Sequence, residues 1–227
     1  MTVGEVFSDA WRLYRALFRR AVVVAGLVFA VVGFANALAG RSDNRWAALV
    51  SLALSLVGGL LVQGALVEIV HDLHESRPVR RVGEYYDATR DRLGTLLGAS
   101  ILYGIGVAVG FLLLVVPGLI AIARWSLIVP LVMIERLGWR EAFVRSSELV
   151  RGRTGRVLVV IVVSNLLTSL GTLAVSSAFS FLPSFGAAWV GATVAGAVIV
   201  PFEALVLTVL YYRLRQPARP VLPEYAA

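Results

Sequence analysis

Residues 21–40 read AVVVAGLVFAVVGFANALAG, twenty positions without one charged side chain. A helix rises about 1.5 Å per residue and the hydrocarbon core of a bilayer is about 30 Å thick, so about 20 apolar residues make one crossing. Peptide groups in hydrocarbon find no water and must bond within the segment, which makes a helix the form this run takes. The same composition extends over the chain. Its 227 residues are 59% hydrophobic and 15% charged, with a mean hydropathy of +0.83, whereas soluble domains carry about a quarter charged residues. A soluble globular fold is excluded.

The other uncharged runs are measured on the same ruler. Residues 46–67 hold 22 uncharged positions and belong to a second span of about 46–70, joined to the first by Arg41-Ser42-Asp43-Asn44-Arg45. Leu93 to Ala123 is 31 residues without a charge, and beyond Arg124 the apolar pattern resumes to Ile134, too long for one crossing. Val116-Pro117-Gly118 supplies a break, since proline lacks the amide hydrogen and glycine permits a turn, giving spans of about 95–115 and 119–134. The 46 uncharged residues from Val157 to Phe202 divide near Leu182-Pro183-Ser184 into spans of about 157–181 and 185–212. Six crossings result, within a single membrane domain over residues 1–227 that closes on a tail at 213–227.

Charge orients the bundle. All 21 basic residues are arginine; 18 fall in the N-terminal segment, the second and fourth connections and the tail, against Arg41 and Arg45 on the other side and Arg124 within a span. The positive-inside rule then places both termini in the cytoplasm, in a bacterial plasma membrane. The net charge of +7 lies in clusters between uncharged runs, a pattern for anionic lipid headgroups and not for nucleic acid. With no cysteine, disulfides and thiolate chemistry are excluded, and no cofactor is expected. The first twenty residues carry Glu5 and Asp9 and lack the basic-then-apolar order of a signal peptide. Trp11, Trp46, Trp139, Tyr211 and Tyr212 fall near span ends, where amphipathic rings settle.

The basic segments are also amphipathic. Between residues 3 and 20, Val3, Val6, Phe7, Ala10, Tyr14 and Leu17 share one helical face, with Glu5, Ser8, Asp9, Arg12, Arg15 and Arg19 opposite, so this helix is expected to lie in the interface. Similar openings recur at Val82-Gly83-Glu84-Tyr85-Tyr86 and Gly138-Trp139-Arg140-Glu141-Ala142-Phe143, each with an aromatic two residues after a glutamate. The expected architecture is thus all-α: a polytopic bundle of six transmembrane helices in three hairpins, each preceded by an amphipathic interfacial helix at 3–20, about 82–93 or about 138–150.

Val116-Pro117-Gly118-Leu119, Arg124-Trp125-Ser126-Leu127, Pro130, Glu135, Glu141-Ala142-Phe143 and Ser146-Ser147-Glu148-Leu149-Val150-Arg151-Gly152-Arg153 together resemble the signature stretch of the membrane domain found on some glycerophosphoryl diester phosphodiesterases and in many uncharacterised six-span bacterial membrane proteins. The resemblance covers about 40 residues. It implies fold and placement. In that family the hydrolase resides in a separate soluble domain, for which 227 residues leave no room, so that activity is not expected here.

Chemistry-bearing residues are few. His71 and His74, with Asp72 and Glu75, sit at the end of span two, but their order is not that of zinc peptidases and no third histidine exists; they read as a solvated helix end and no metal site is expected. Without lysine there is no phosphate-binding Gly-x-x-x-x-Gly-Lys loop. Ser164, Ser169, Ser176 and Ser177 have no histidine at hand for a triad, so no catalytic residues are assigned. Buried charge is the better lead, because an ionised group at bilayer depth costs about 2.5–3.5 kcal/mol on insertion scales. Arg124 and Glu203 each lie about 15 Å in by helical rise. They pair, or Arg124 snorkels to the outer surface. Asn165, Ser169, Thr172 and Ser176 line one side of span five, as interhelical glue or as part of a polar path. Small residues at Gly26, Ala30, Gly33 and Ala37, at Ser55, Gly59 and Gln63, at Gly106 and Gly110, and at Gly191 and Ala195 mark helix contacts; Pro130 and Pro201 are expected to kink spans four and six.

Two functions fit. The first is a non-catalytic scaffold whose basic face, with Arg12, Arg15, Arg19, Arg140, Arg151 and Arg153 as headgroup contacts, binds anionic phospholipid or a membrane protein partner. The second is a transporter, or the membrane subunit of one, with a path lined by Arg124, Asn165 and Glu203.

Overall fold

The computed structural model describes residues 2–42, 44–78 and 80–215. Among the described residues there are ten helices and no strand: α1 (Val3–Ala39), α2 (Arg45–His74), α3 (Val82–Arg90), α4 (Leu93–Leu113), α5 (Val115–Arg124), α6 (Ile128–Ile134), α7 (Trp139–Val150), α8 (Thr154–Ala178), α9 (Ser184–Val198) and α10 (Val200–Arg215). Six helical segments are long and apolar enough to cross a membrane: α1, α2, α4, α5 with α6, α8, and α9 with α10. The chain is an integral membrane protein.

The first helix differs from the expected interfacial helix followed by a span. It runs unbroken for 37 residues, because Leu17 to Val24 contains neither glycine nor proline and the amphipathic segment passes directly into the apolar one. At its start the Thr2 hydroxyl accepts the Glu5 amide and the Glu5 carboxylate accepts the Thr2 amide, the reciprocal bonding of a capping box. The face predicted from spacing is the buried one, with Val6, Ala10, Tyr14 and Leu17 covered, but it packs on α10 and α2 and not on lipid. Asp9, assigned to the polar face, is buried as well.

One predicted break and both predicted kinks shift, while the break near Leu182-Pro183-Ser184 falls where α9 begins. The α4–α5 turn is the single extended residue Leu114, and Pro117 lies in the first turn of α5, where a missing amide hydrogen leaves no bond unmade. The turn is this tight because Gly110 meets the backbone of Gly118, where a Cβ on Gly110 would fall 2.8 Å from the Gly118 Cα. Span four is interrupted at Trp125–Leu127 and span six at Ile199, in each case a few residues before the proline expected to kink it. A proline ring clashes with the carbonyl four residues back, so Pro130 and Pro201 act at Ser126 and Ala197, and each helix stops within two residues of that position, at Arg124 and Val198, instead of bending at the ring.

α10 is the axis of the bundle, packed by α1, α2, α6, α7 and α8, with Leu205, Val206, Val209, Leu210 and Tyr211 fully enclosed. Hydrocarbon does not drive apolar helices together, so close approach relies on small residues. Gly33 sits under Thr193 and the Trp189 carbonyl, Gly58 under Val32, and Gly196 under Phe29. The outward faces of α1, α4 and α8 are a sleeve of exposed Val, Leu, Ile and Phe.

The α4–α5 tip is apolar throughout. Phe111 to Val116 bears no polar side chain and Leu112 is 86% exposed, while the α1–α2 connection carries Arg41, Ser42 and Arg45. Six exposed apolar residues at a turn are stable in hydrocarbon and not in water. In this cysteine-free chain, Leu114→Cys is expected to resist a membrane-impermeant maleimide added from either side, whereas Ser42→Cys reacts; equal labelling of both would place the tip in water.

Candidate functional site

A cavity of about 270 Å³ lies where α2, α4, α8 and α10 meet the α5–α6 break, lined by Gln63, Ser100, Tyr103, Trp125, Ser126, Asn165 and Glu203 among apolar neighbours. A second, of about 250 Å³, is lined by Ser55, Gly59, Leu60, Gln63 and Glu203. Leu60, Gln63 and Glu203 belong to both, so these three form the partition between two hollows along α2 and α10. Gly59 matters here by what it lacks: a Cβ there would meet nothing within 4 Å, and its bare backbone leaves the second hollow open. Nearer the α1–α2 turn, Asn36 continues the polar row through hydrogen bonds with Ser51 and Ser55.

The hydrogens on the lining groups are partly spent elsewhere. The Asn165 amide donates to the Ile161 carbonyl at 3.1 Å and the Ser126 hydroxyl to the Ala123 carbonyl at 3.0 Å. Their oxygens then remain as acceptors, beside the Glu203 carboxylate, and no arginine or histidine is among the lining residues. The lining thus holds one carboxyl group and no basic side chain.

Both interrupted spans border it. An unbonded peptide group in hydrocarbon costs several kcal/mol, and each break has a side chain that answers it. Buried Ser146 of α7 donates to the Arg124 carbonyl at 2.6 Å and accepts the Leu127 amide at 3.3 Å, bridging the α5–α6 break. At the α9–α10 break the Tyr14 hydroxyl donates to the Val198 carbonyl at 2.7 Å.

Of the intramembrane residues named from sequence, Glu203 and Asn165 come together in the cavity and Arg124 does not. Arg124 is exposed and is absent from the lining; among the described residues no ion pair joins it to Glu203. Its backbone lies against α7 through the Ser146 bond. Equal depth on two helices does not fix the direction in which each side chain points, and the depth argument lacked that second coordinate. Gln63, visible in the sequence only as part of a small and polar stripe on span two, lines both hollows together with Glu203.

The basic end carries three carboxylate–arginine knots that run length alone did not reveal. Glu68 and Asp72, one turn apart on α2 and 2% exposed, both bond Arg80 at 2.8 Å, and Arg136 reaches Glu68 at 3.3 Å. The bonds to Asp72 and then Glu68 hold the Arg80 guanidinium proton more tightly than in an ordinary arginine. Glu135 accepts the Tyr211 hydroxyl at 2.8 Å with Arg145 and Arg215 nearby. Asp9 bonds Arg12 and Arg213. α3 is held by its tyrosines: the Tyr85 hydroxyl accepts the Arg80 amide at 3.1 Å, and the Tyr86 hydroxyl donates to the Val24 carbonyl, with burial pushing the Tyr86 phenol up to about 12. The histidines are not a solvated helix end. His71 Nδ1 lies 2.9 Å from the Tyr212 hydroxyl and the buried His74 ring stacks on Tyr212. Among the described residues no group of three or more His, Cys, Asp and Glu is placed to hold a metal.

The headgroup arginines separate by partner. Arg12 remains exposed but is engaged by Asp9, while Arg15, Arg19, Arg140 and Arg151 are exposed and Arg153 half-buried. Arg140 and Arg151 border a cleft of about 600 Å³ between α4 and α7, with Leu102, Trp125, Trp139, Phe143, Val144, Ser147 and Glu148. No family model, no curated protein and no solved structure matches this chain.

Removing one partner of a buried ion pair costs about 3–5 kcal/mol, since it strands the other charge. Arg80→Ala is therefore expected to lower the thermal midpoint in detergent by several degrees, while Arg19→Ala, on an exposed face, changes stability by no more than about 0.5 kcal/mol. Ser146→Ala, which unpairs a carbonyl and an amide at once, is expected to cost about 1–3 kcal/mol in the same assay, with Ser146→Thr closer to the parent.

Proposed function

We propose that this protein binds a small cationic solute at Glu203 and passes it between the two flanking cavities, as a transporter or the membrane subunit of a transport system. One observation carries the reading: a carboxyl group sits at the junction of two hollows whose lining adds polar oxygens and no basic side chain. A single negative charge in a low-dielectric wall attracts a monovalent cation and repels anions. About 270 Å³ on one side accommodates such an ion with part of its water shell, or a small ammonium compound. Interrupted helices beside the cavity support the same reading, since transporters build their sites from discontinuous spans near mid-membrane. The reading needs no catalytic step and no cofactor.

For placement, we propose that the arginine-rich end faces the cytoplasm of a bacterial cell, with both termini on that side. Kinship to the phosphodiesterase-type membrane domain remains a proposal on its sequence resemblance, and it brings no hydrolase with it. The lipid- or partner-binding scaffold has a separate argument: in the basic segments eighteen arginines face twelve acidic residues, all but Asp43 and Glu203, a surplus of six positive charges at the level of the headgroups.

Purified protein in liposomes, tested with Na⁺, K⁺ and methylammonium, is expected to take up at least one of them above empty vesicles. Glu203→Gln should reduce that uptake by about tenfold or more, the loss of one ionic ligand in a dry site being worth at least about 1.4 kcal/mol. Well-folded protein that moves none of the three, or a Glu203→Gln variant as active as the parent, would return the scaffold to first place.

A further inference from the structure

The cleft between α4 and α7 has a chemistry of its own, apart from the cavity. Its floor is apolar and aromatic: Trp125 and Phe143 meet edge to face at 5.1 Å, and Leu102 adds an aliphatic wall. Its rim is charged. Glu148 is engaged by Arg145 at 3.4 Å, which leaves Arg140 and Arg151 uncompensated, and among the described residues neither makes an ion pair. The Arg140 guanidinium lies 4.7 Å from the centre of the Trp139 ring, a cation–π contact that holds it at the mouth without consuming its hydrogen-bond donors. On the other side of Arg140 a hollow lined by Glu135, Glu141 and Glu148 with Arg145 carries more carboxylates than arginines and disfavours an anion, so an anionic headgroup meets the guanidinium from the aromatic cleft.

The cleft continues onto lipid. Leu102, Ile105, Val109 and Leu112 fall at helical spacing on one stripe of α4, and they are 39%, 56%, 49% and 86% exposed. A molecule with its head between two guanidinium groups and a tail along this stripe passes from charge to hydrocarbon over the length of one helix. We propose that the cleft binds one anionic phospholipid, its phosphate bonded by Arg140 and Arg151 and one acyl chain laid over Leu102, Trp125 and Phe143 toward Leu112. Planar guanidinium groups match phosphate oxygens in pairs, and about 600 Å³ is far more room than a bare phosphate requires. Both arginines are ones that sequence reasoning assigned to headgroups in general; the geometry narrows the role to a single lipid in one place.

The proposal stands independently of transport, because its test reads binding and not flux. Parent protein in detergent is incubated with equal phosphatidylglycerol and phosphatidylcholine of identical chains and examined by native mass spectrometry. One phosphatidylglycerol is expected to be retained with about tenfold or greater preference, the scale set by two arginines near an anionic group. The Arg140→Gln/Arg151→Gln double variant, altered only at exposed positions, should lose that preference, while Arg15→Gln/Arg19→Gln keeps it. Retention unchanged in the Arg140/Arg151 variant overturns the assignment. So does displacement of the lipid by millimolar inorganic phosphate alone, which would show that the acyl chain adds nothing.

Discussion

A peptide carbonyl in hydrocarbon has nowhere to turn except to its own helix or to a neighbour. This constraint governs the protein most visibly where two spans stop obeying it. At the α5–α6 and α9–α10 breaks the chain gives up helical bonds, and Ser146 from the next helix and Tyr14 from the far end of the sequence supply replacements. The two donors explain the placement of their helices. α7 is drawn against the α5–α6 break and not left on the lipid surface, and the N-terminal half of α1 is carried alongside α10 so that its tyrosine meets Val198. The breaks, once satisfied, leave room beside them, and the cavity at Glu203 occupies that room.

The basic end solves a related problem by charge. Three long helical segments, α1, α2 and α9 with α10, continue past the apolar zone, and their ends on the basic side must be joined to short helices with little apolar area. Glu68, Asp72, Glu135 and Asp9 do this by receiving arginines from connections and tails. Arginine suits the task because its planar fork can bridge two carboxylates at once, as Arg80 does, where a lysine would offer a single point charge. Several arginines that look like a uniform basic surface in the sequence are therefore structural, and those left over carry the interaction with lipid.

Much of this was legible from run length. Helix number and apolar span positions depend on one-dimensional quantities, the rise per residue and the thickness of hydrocarbon, so residues 21–40 and their counterparts determine them with little help from context. The buried face of residues 3–20 was legible too, since 3.6-residue spacing settles which side chains share a side; what covers that face was not, because lipid and a partner helix are equally apolar. The contents of the cavity were half legible. Glu203 and Asn165 stand out as polar groups in apolar runs, but the angular direction of Arg124 depends on packing between α5, α7 and α8. Glu68 and Asp72 did carry a signal, two carboxylates one turn apart at the end of an apolar helix and followed within a dozen residues by arginines; their burial only becomes evident once α3 folds back onto α2.

Trp125 belongs to both the polar cavity and the lipid-facing cleft, sitting in the break that Ser146 bridges. One indole ring is thus a party wall between two rooms. Were the ring to swing toward one it would enlarge the other, and thermodynamic reciprocity would make the influence of a guest on either face equal in both directions.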